Sequence, residues 1–311
     1  GNIPRQPSDW YDTECAPDRK GSWRLTPAHS TQGFYSDANI RHLVNFAAAR
    51  DIRIVPEISI PSHAGAAIRA YPHLGNPTLV NEAPHGANQT LWPSAASLSF
   101  VEAAFHHACS LFPSPTIHIG GASTDWEPWE SDLSLMRVGL TSGAEIERLF
   151  IDRALRTLHF HGRRAAAWDS LTRAYPTPPP GTTLLAHRPG NAGRRAAESS
   201  GAPWILADAE ILTLSHPRRT NSPLEPAHTL FDDLTQALRG ERLKGVEAVA
   251  WSSTVTTPDL LFYHLLPRLL VVAEAAWHGE DALPWDKLAP LVEHEMAHLR
   301  RTIPYWNPQR P

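Results

Sequence analysis

Cysteine is nearly absent: the 311 residues hold two, Cys15 and Cys109. That excludes a disulfide framework and a cysteine-based zinc site, leaving at most one bridge between them or to another chain. No apolar run reaches the roughly 20 residues that a membrane-spanning helix needs. An excess of one charge is missing too. The net charge of −4, from 28 basic and 32 acidic residues, gives no electrostatic footing for nucleic acid or an anionic membrane surface. The opening Gly1-Asn2-Ile3-Pro4-Arg5 lacks the regions of a signal peptide, and processing could have removed one, so the compartment stays open. Asn88-Gln89-Thr90 is a glycosylation sequon that matters only in a secreted eukaryotic chain. No glycine-rich phosphate loop follows a strand-like run, which weakens a nucleotide-binding sheet.

What is present describes a globular α/β protein, 42% apolar and 19% charged. The 29 prolines fall mostly between periodic segments, as expected of many short connections. Eleven tryptophans suit either sugar-facing rings or the packing of a barrel. From about residue 36 helical and strand-like segments alternate. Ser36 is placed to cap a helix carrying Ile40, Leu43, Val44 and Ala47 on one face. Strands are expected at 52–58, 116–120, 164–168, 182–186, 204–207 and 246–251, and helices at 98–111, 143–161, 229–239, 258–277 and 286–301. Repeated β-then-α units imply parallel strands, in a closed barrel or a doubly wound sheet. In a barrel the chemistry sits where strands end. Those places are Ser59–His63, Gly121–Trp129, Trp168–Ser170, Ala186–Arg188, Asp208–Leu212 and Trp251–Ser253.

At these strand ends the sequence becomes specific. Phe34-Tyr35-Ser36 followed by Val55-Pro56-Glu57-Ile58-Ser59-Ile60-Pro61-Ser62-His63 is similar to Tyr-Thr…Val-Pro-Glu-Ile-Asp-x-Pro-Gly-His of glycoside hydrolase family 20, the β-N-acetylhexosaminidases. Ala70-Tyr71-Pro72-His73-Leu74-Gly75 resembles the segment that follows. Leu111–Gly121, ending His118-Ile119-Gly120-Gly121, resembles the approach to the family's catalytic pair, and Trp129 sits where a Trp commonly comes after it. Gly162-Arg163-Arg164…Trp168-Asp169, Gly245–Trp251 and Pro267–Trp277 resemble later signatures. The resemblance runs from about residue 21 to the end. It implies a (β/α)8 TIM-type barrel with the sugar site at the C-terminal strand ends, and hydrolysis of terminal N-acetylhexosamines by substrate-assisted catalysis, in which the acetamido oxygen attacks the anomeric carbon. It implies no cofactor and no metal, and favours a secreted or extracytoplasmic location.

The departures from that pattern are equally specific. The resemblance puts a Glu that protonates the leaving oxygen at Ser123, and an Asp that orients the acetamido group at Ala122. Loss of the acid alone is worth roughly 10²–10⁴ in rate. The Asp expected to support His63 is Ser59, and the Glu expected to hold sugar hydroxyls is Ser253. A Tyr expected near Leu212 is missing, and a Trp expected after a strand falls on Ala186 or His187. Among what remains, His63, Trp129, Trp168, Asp169 and Trp251 are the substrate-binding candidates. His118 is read as a hydrogen-bonded strand-end residue. The expectation is a pseudoenzyme that binds N-acetylglucosamine-type glycans or another subunit. The alternative is an active exo-hydrolase using a relocated acid, Asp125 or Glu127, with Glu130 beside them.

Two further readings complete the picture. Residues 1–35 are expected to be an atypical segment replacing the start of the barrel, with 36–311 the hexosaminidase-like barrel. Only Asn2–Asp9 could form the family's second strand, and Pro4 and Pro7 make it a poor one. A barrel incomplete at its start would need a partner chain, a second copy or a severed fragment to close it. His294-Glu295-Met296-Ala297-His298 matches the zinc-protease helix pattern, but a third ligand is not evident, and the simpler reading is a solvent-facing stretch of the last helix with Leu288, Leu291 or Val292, and Leu299 inward.

Overall fold

The computed structural model describes residues 35–79, 89–122, 124–215, 224–238, 240–251, 255 and 257–303. The expected N-terminal segment apart from Tyr35, the sequon asparagine Asn88, Cys15, Ser123 and Ser253 lie outside them. The chain divides into two compact units between Thr183 and Leu184.

The first unit opens with α1 (Asp37–Ala48), capped by Ser36 in a capping box with Asn39. The Ser36 hydroxyl accepts from the Asn39 amide at 3.2 Å, and the Asn39 side chain takes the Ser36 N–H at 3.1 Å. There follow β1 (Glu57–Ile60), α2 (Gly65–Ala70), α3 (Ala95–Leu111), β2 (Thr116–Gly120), α4 (Glu127–Glu130), α5 (Leu133–Arg137), α6 (Gly143–Phe160) and β3 (Arg164–Trp168). β1 pairs with β2, and β2 with β3, all parallel. The strand expected from Ile52 begins five residues later, at Glu57. Ile52 spends its N–H on the Ala47 carbonyl, which closes the preceding turn, and Pro56 has no N–H to give a ladder. β2 and β3 match expectation at both ends. α3 and α6 pack on one another, burying Val101, Phe105 and Ala108 of one with Phe150, Ile151 and Ala154 of the other. Each large apolar side chain so buried contributes about 1.5–3 kcal/mol.

The second unit takes in most of β4 (Thr182–Ala186), then α7 (Ala192–Ser200), β5 (Trp204–Leu206), α8 (Ala227–Ala237), β6 (Leu243–Val246), α9 (Pro258–Leu265), α10 (Arg268–His278) and α11 (Trp285–Thr302). β5 pairs in parallel with both β4 and β6. The last strand was expected at 246–251. Its ladder instead spans Leu243–Val246, and beyond it Val249 forms an isolated parallel bridge to Thr213. The helix expected over 258–277 is two helices, because Pro267 lacks the N–H that would continue the first. Arg268 is buried and donates to the carbonyls of Leu214 and His264. No single helix among the described residues is long and apolar enough to cross a membrane. On α11 the inward stripe is Leu288, Val292 and Met296, while Leu291 is outward and His294 and His298 are exposed. Among the described residues no group of three His, Cys, Asp or Glu side chains could hold a metal. Cys109 is a buried free thiol.

Candidate functional site

In the first unit three adjacent strands bring Glu57, Ser59, His118 and Trp168 together. Glu57 opens β1 in register with His118 of β2. One oxygen, Oε1, accepts from the Ser59 hydroxyl at 2.8 Å and from the Trp168 indole N–H at 2.9 Å. The His118 ring meets the Trp168 ring edge-on, with centroids 5.0 Å apart. Trp168 is therefore held by a hydrogen bond at its nitrogen and by ring contact on its face. The Gly120 N–H donates to His118 Nδ1 at 3.1 Å, which makes Nδ1 the acceptor and puts the proton on Nε2. His118 Nε2 is buried without a hydrogen-bond partner. Gly120 holds φ +77, and a Cβ there would stand 2.7 Å from Ser59 Cα, so the strand end tolerates no side chain at this point.

Burial drives the His118 imidazole down to about 4, against the opposing pull of the Glu57 charge. A histidine depressed in the folded state contributes stability above its ordinary value of 6.5 and loses it as the pH falls through the folded value. We therefore expect the chain to lose up to about 3 kcal/mol through this group between pH 6.5 and 4. His118→Asn, which keeps an acceptor for Gly120 but cannot take up a proton, should flatten that part of the pH profile. Denaturant melts at both pH values check this, and equal slopes for the two proteins would refute it.

The segment after β2 is anchored outward, to α6. Ala122 follows Gly121, whose N–H is held by the Ile60 carbonyl at 3.1 Å. The Ala122 carbonyl accepts from Ser62 at 3.3 Å and from Thr124 at 3.2 Å. Glu147 of α6, 2% exposed, then accepts from Thr124 Oγ1 at 3.1 Å and Trp126 Nε1 at 2.6 Å. Burial pushes the Glu147 carboxyl up, opposed by those two donors and by Arg173. Arg173 lies 4.1 Å over the Trp126 ring and donates to the Thr124 carbonyl at 2.9 Å. Glu130 accepts the Gly143 N–H at 2.8 Å, and a Cβ at Gly143 would come within 2.3 Å of Trp126. Trp129 is 1% exposed and stacks on Phe150 at 6.0 Å and 18°. Asp125 and Glu127 are exposed on the same segment, the Asp125 carboxylate accepting the Glu127 N–H at 3.1 Å. Asp169 is fully buried after β3, while His63 is exposed at φ 59.

The second unit gathers a smaller group. The His187 Nδ1–H donates to the Ala207 carbonyl at 2.7 Å, and its ring meets Trp251 edge-on at 5.9 Å. Trp251 is 40% exposed and its N–H is held by Ser215 Oγ at 3.1 Å. Asp208 caps the turn that follows β5 through the N–H groups of Glu210 and Ile211, and burial raises its carboxyl. Leu212, where a Tyr was expected, is fully buried, and Ala186 is 1% exposed.

Sequence reasoning missed two residues. Glu57 was quoted within its motif but given no part, although it unites Ser59, His118 and Trp168. Glu147 is the other, inside the helix expected at 143–161. The signal was there: it falls in the stripe of Gly143, Phe150, Ala154 and Leu158 that α6 buries.

The model of the glycosyl hydrolase family 20 catalytic domain matches residues 15–280. A β-hexosaminidase of Porphyromonas gingivalis is 28% identical over 82% of this chain and 36% of its own. One of Akkermansia muciniphila is 26% identical over 87% of this chain and 59% of its own. The chain thus spans between about a third and three fifths of these curated relatives. A solved exo-β-N-acetylglucosaminidase of Vibrio harveyi, in complex with N-acetylglucosamine, superposes with a TM-score of 0.76 at 23% identity, over 89% of this chain and 47% of that one. The fold is accordingly the TIM-type (β/α)8 barrel, incomplete to the extent that six strands stand among the described residues. Since the matched span takes in every one of those strands, the chain belongs to glycosyl hydrolase family 20.

Proposed function

We propose that this is a hexosaminidase-like barrel without hydrolytic turnover, kept as a module that binds N-acetylhexosamine glycans or another subunit. The observation that carries the reading is Ala122, a methyl group at the end of β2 where the family resemblance calls for the orienting carboxylate. With Ser123 beside it in the sequence, neither a proton donor for the leaving oxygen nor a charge for the developing oxazolinium is supplied.

The surroundings support the same reading. A relocated acid must reach back to the strand end from Asp125 or Glu127. Both face solvent, on a segment that Glu147, Arg173 and Glu130 hold against the outer helix. A general acid needs the opposite environment, half-dry and within about 3 Å of the leaving oxygen. In the first unit Trp168, braced by Glu57 and His118, and the exposed His63 are the surviving candidates for sugar contact, with Asp169 buried behind them; Trp251 is a separate candidate in the second unit. Apolar side chains left exposed ahead of β1, among them Phe46, Ile52 and Val55, support the subunit reading.

An aryl N-acetylglucosaminide incubated with the purified chain should be hydrolysed no faster than in buffer, and Asp125→Asn with Glu127→Gln should change nothing. Turnover that disappears in either variant would overturn the proposal in favour of the relocated acid. Calorimetry with N-acetylglucosamine and its thiazoline analogue separates the two remaining roles. Heat that is lost in Trp168→Ala marks a glycan binder. Silence, with a stable dimer or a captured partner by light scattering, marks a subunit.

A further inference from the structure

Away from the strand-end network, at the start of β3, the first unit carries a cleft of about 480 Å³. Arg156 and His159 reach it from the C-terminal part of α6, Arg163 and Arg164 from the turn that enters β3. Asp152 is the one carboxylate among its lining residues, and it already accepts the Tyr175 hydroxyl. Among the described residues no ion pair neutralises Arg156, Arg163 or Arg164. Arg163 is aimed by its own hydrogen bonds, donating to the carbonyls of Pro113 at 2.9 Å and Ser114 at 3.0 Å. Neutral carbonyls fix a guanidinium without cancelling its charge. The carbonyls that end α6 are spoken for as well: those of Thr157, Leu158 and His159 accept the N–H groups of His161, Arg163 and Gly162.

Three guanidinium groups around one cleft, with a single engaged carboxylate, form a cationic site of the kind that binds phosphate and sulfate oxygens through paired N–H donors. The volume falls in the range of small-molecule sites and far exceeds that of a bare tetrahedral ion. The wall beyond the charges is apolar, from Leu155, Ala165 and the Pro179-Pro180 pair. We infer that this cleft binds a compact phosphate or sulfate ester, its oxyanion on Arg156, Arg163 and Arg164 and its organic body against the prolines. The site lies at the opposite end of β3 from Trp168, roughly 13 Å away along a five-residue strand. It goes beyond the glycan reading and stands or falls separately from it.

Calorimetric titration of the full chain with glucose 6-phosphate, glucose 6-sulfate and glucose tests this. Both esters, or one of them, should bind while glucose gives no heat, and the ratio of the two affinities tells phosphate from sulfate as the natural group. Arg156→Glu with Arg164→Glu, both on exposed side chains, should weaken the ester by about tenfold or more. Added salt should weaken it in the unaltered protein, which needs no variant to fold. No binding of either ester at millimolar concentration, glucose binding equally well, or an affinity indifferent to salt and to the charge reversal would each overturn the inference.

Discussion

Installing the acidic pair, Ala122→Asp with Ser123→Glu, should raise turnover of an aryl N-acetylglucosaminide over the unaltered chain by roughly 10²–10⁴, the share of a positioned general acid. The frame to receive it is present. The Gly121 N–H and the Ala122 carbonyl are tied to Ile60 and Ser62 across the β1–β2 strand ends, so a carboxylate at 122 starts from a fixed backbone. Activity should still fall short of a working family member by a further 10²–10³, the scale of one missing transition-state donor. Leu212 lies fully in the core where the resemblance expects a Tyr to hold the acetamido oxygen. Initial rates on the double variant, with circular dichroism to establish folding, decide the matter. A folded variant no faster than the parent would show that the acidic pair alone does not confer turnover on this frame.

The second large effect is on stability. Trp129→Ala should cost about 3–5 kcal/mol, because a large aromatic side chain in a closed environment leaves a cavity that the neighbours fill only in part. Trp129 is 1% exposed, and its stacking on Phe150 adds to what is lost. A domain of ordinary stability holds about 5–15 kcal/mol in all, so the variant should melt far below the parent or fail to accumulate. Urea unfolding followed by circular dichroism measures this. If the variant instead keeps its midpoint and loses only affinity for N-acetylglucosamine, Trp129 faces sugar and the core assignment is wrong.

Much of the frame could be read from the chain. β2, β3 and β4 are legible to the residue, with glycine or proline just ahead of each run at Pro115, Gly162 and Gly181. β1 was misplaced because apolar alternation at Ile52, Ile54 and Ile58 outweighed Pro56, and a ladder needs N–H groups more than it needs isoleucines. The break in the long C-terminal helix was written at Pro267 but obscured by apolar residues on both sides. At the site, tryptophans were legible as residues and not as environments. Trp129, Trp168 and Trp251 read alike in sequence. In the structure the first is core, the second is braced by Glu57 and His118, and the third is 40% exposed. Such differences depend on which distant strand or helix arrives alongside, as with Glu147, 21 residues from Trp126 in sequence and bonded to its indole.

That anchor has a consequence for how such a chain can drift. The segment after β2 is pinned by Glu147 and the Gly143 amide of α6 and by Arg173 from the turn after β3. Two neighbouring carboxylates at the strand end would repel each other and resist desolvation, a burden that only catalysis justifies. Exchanging them for a methyl and a hydroxyl removes the burden and leaves every bolt on α6 in place. Selection for a sturdy molecule and selection for a working one therefore pull in opposite directions at positions 122 and 123. Where the second relaxes, the first alone is enough to keep the barrel standing.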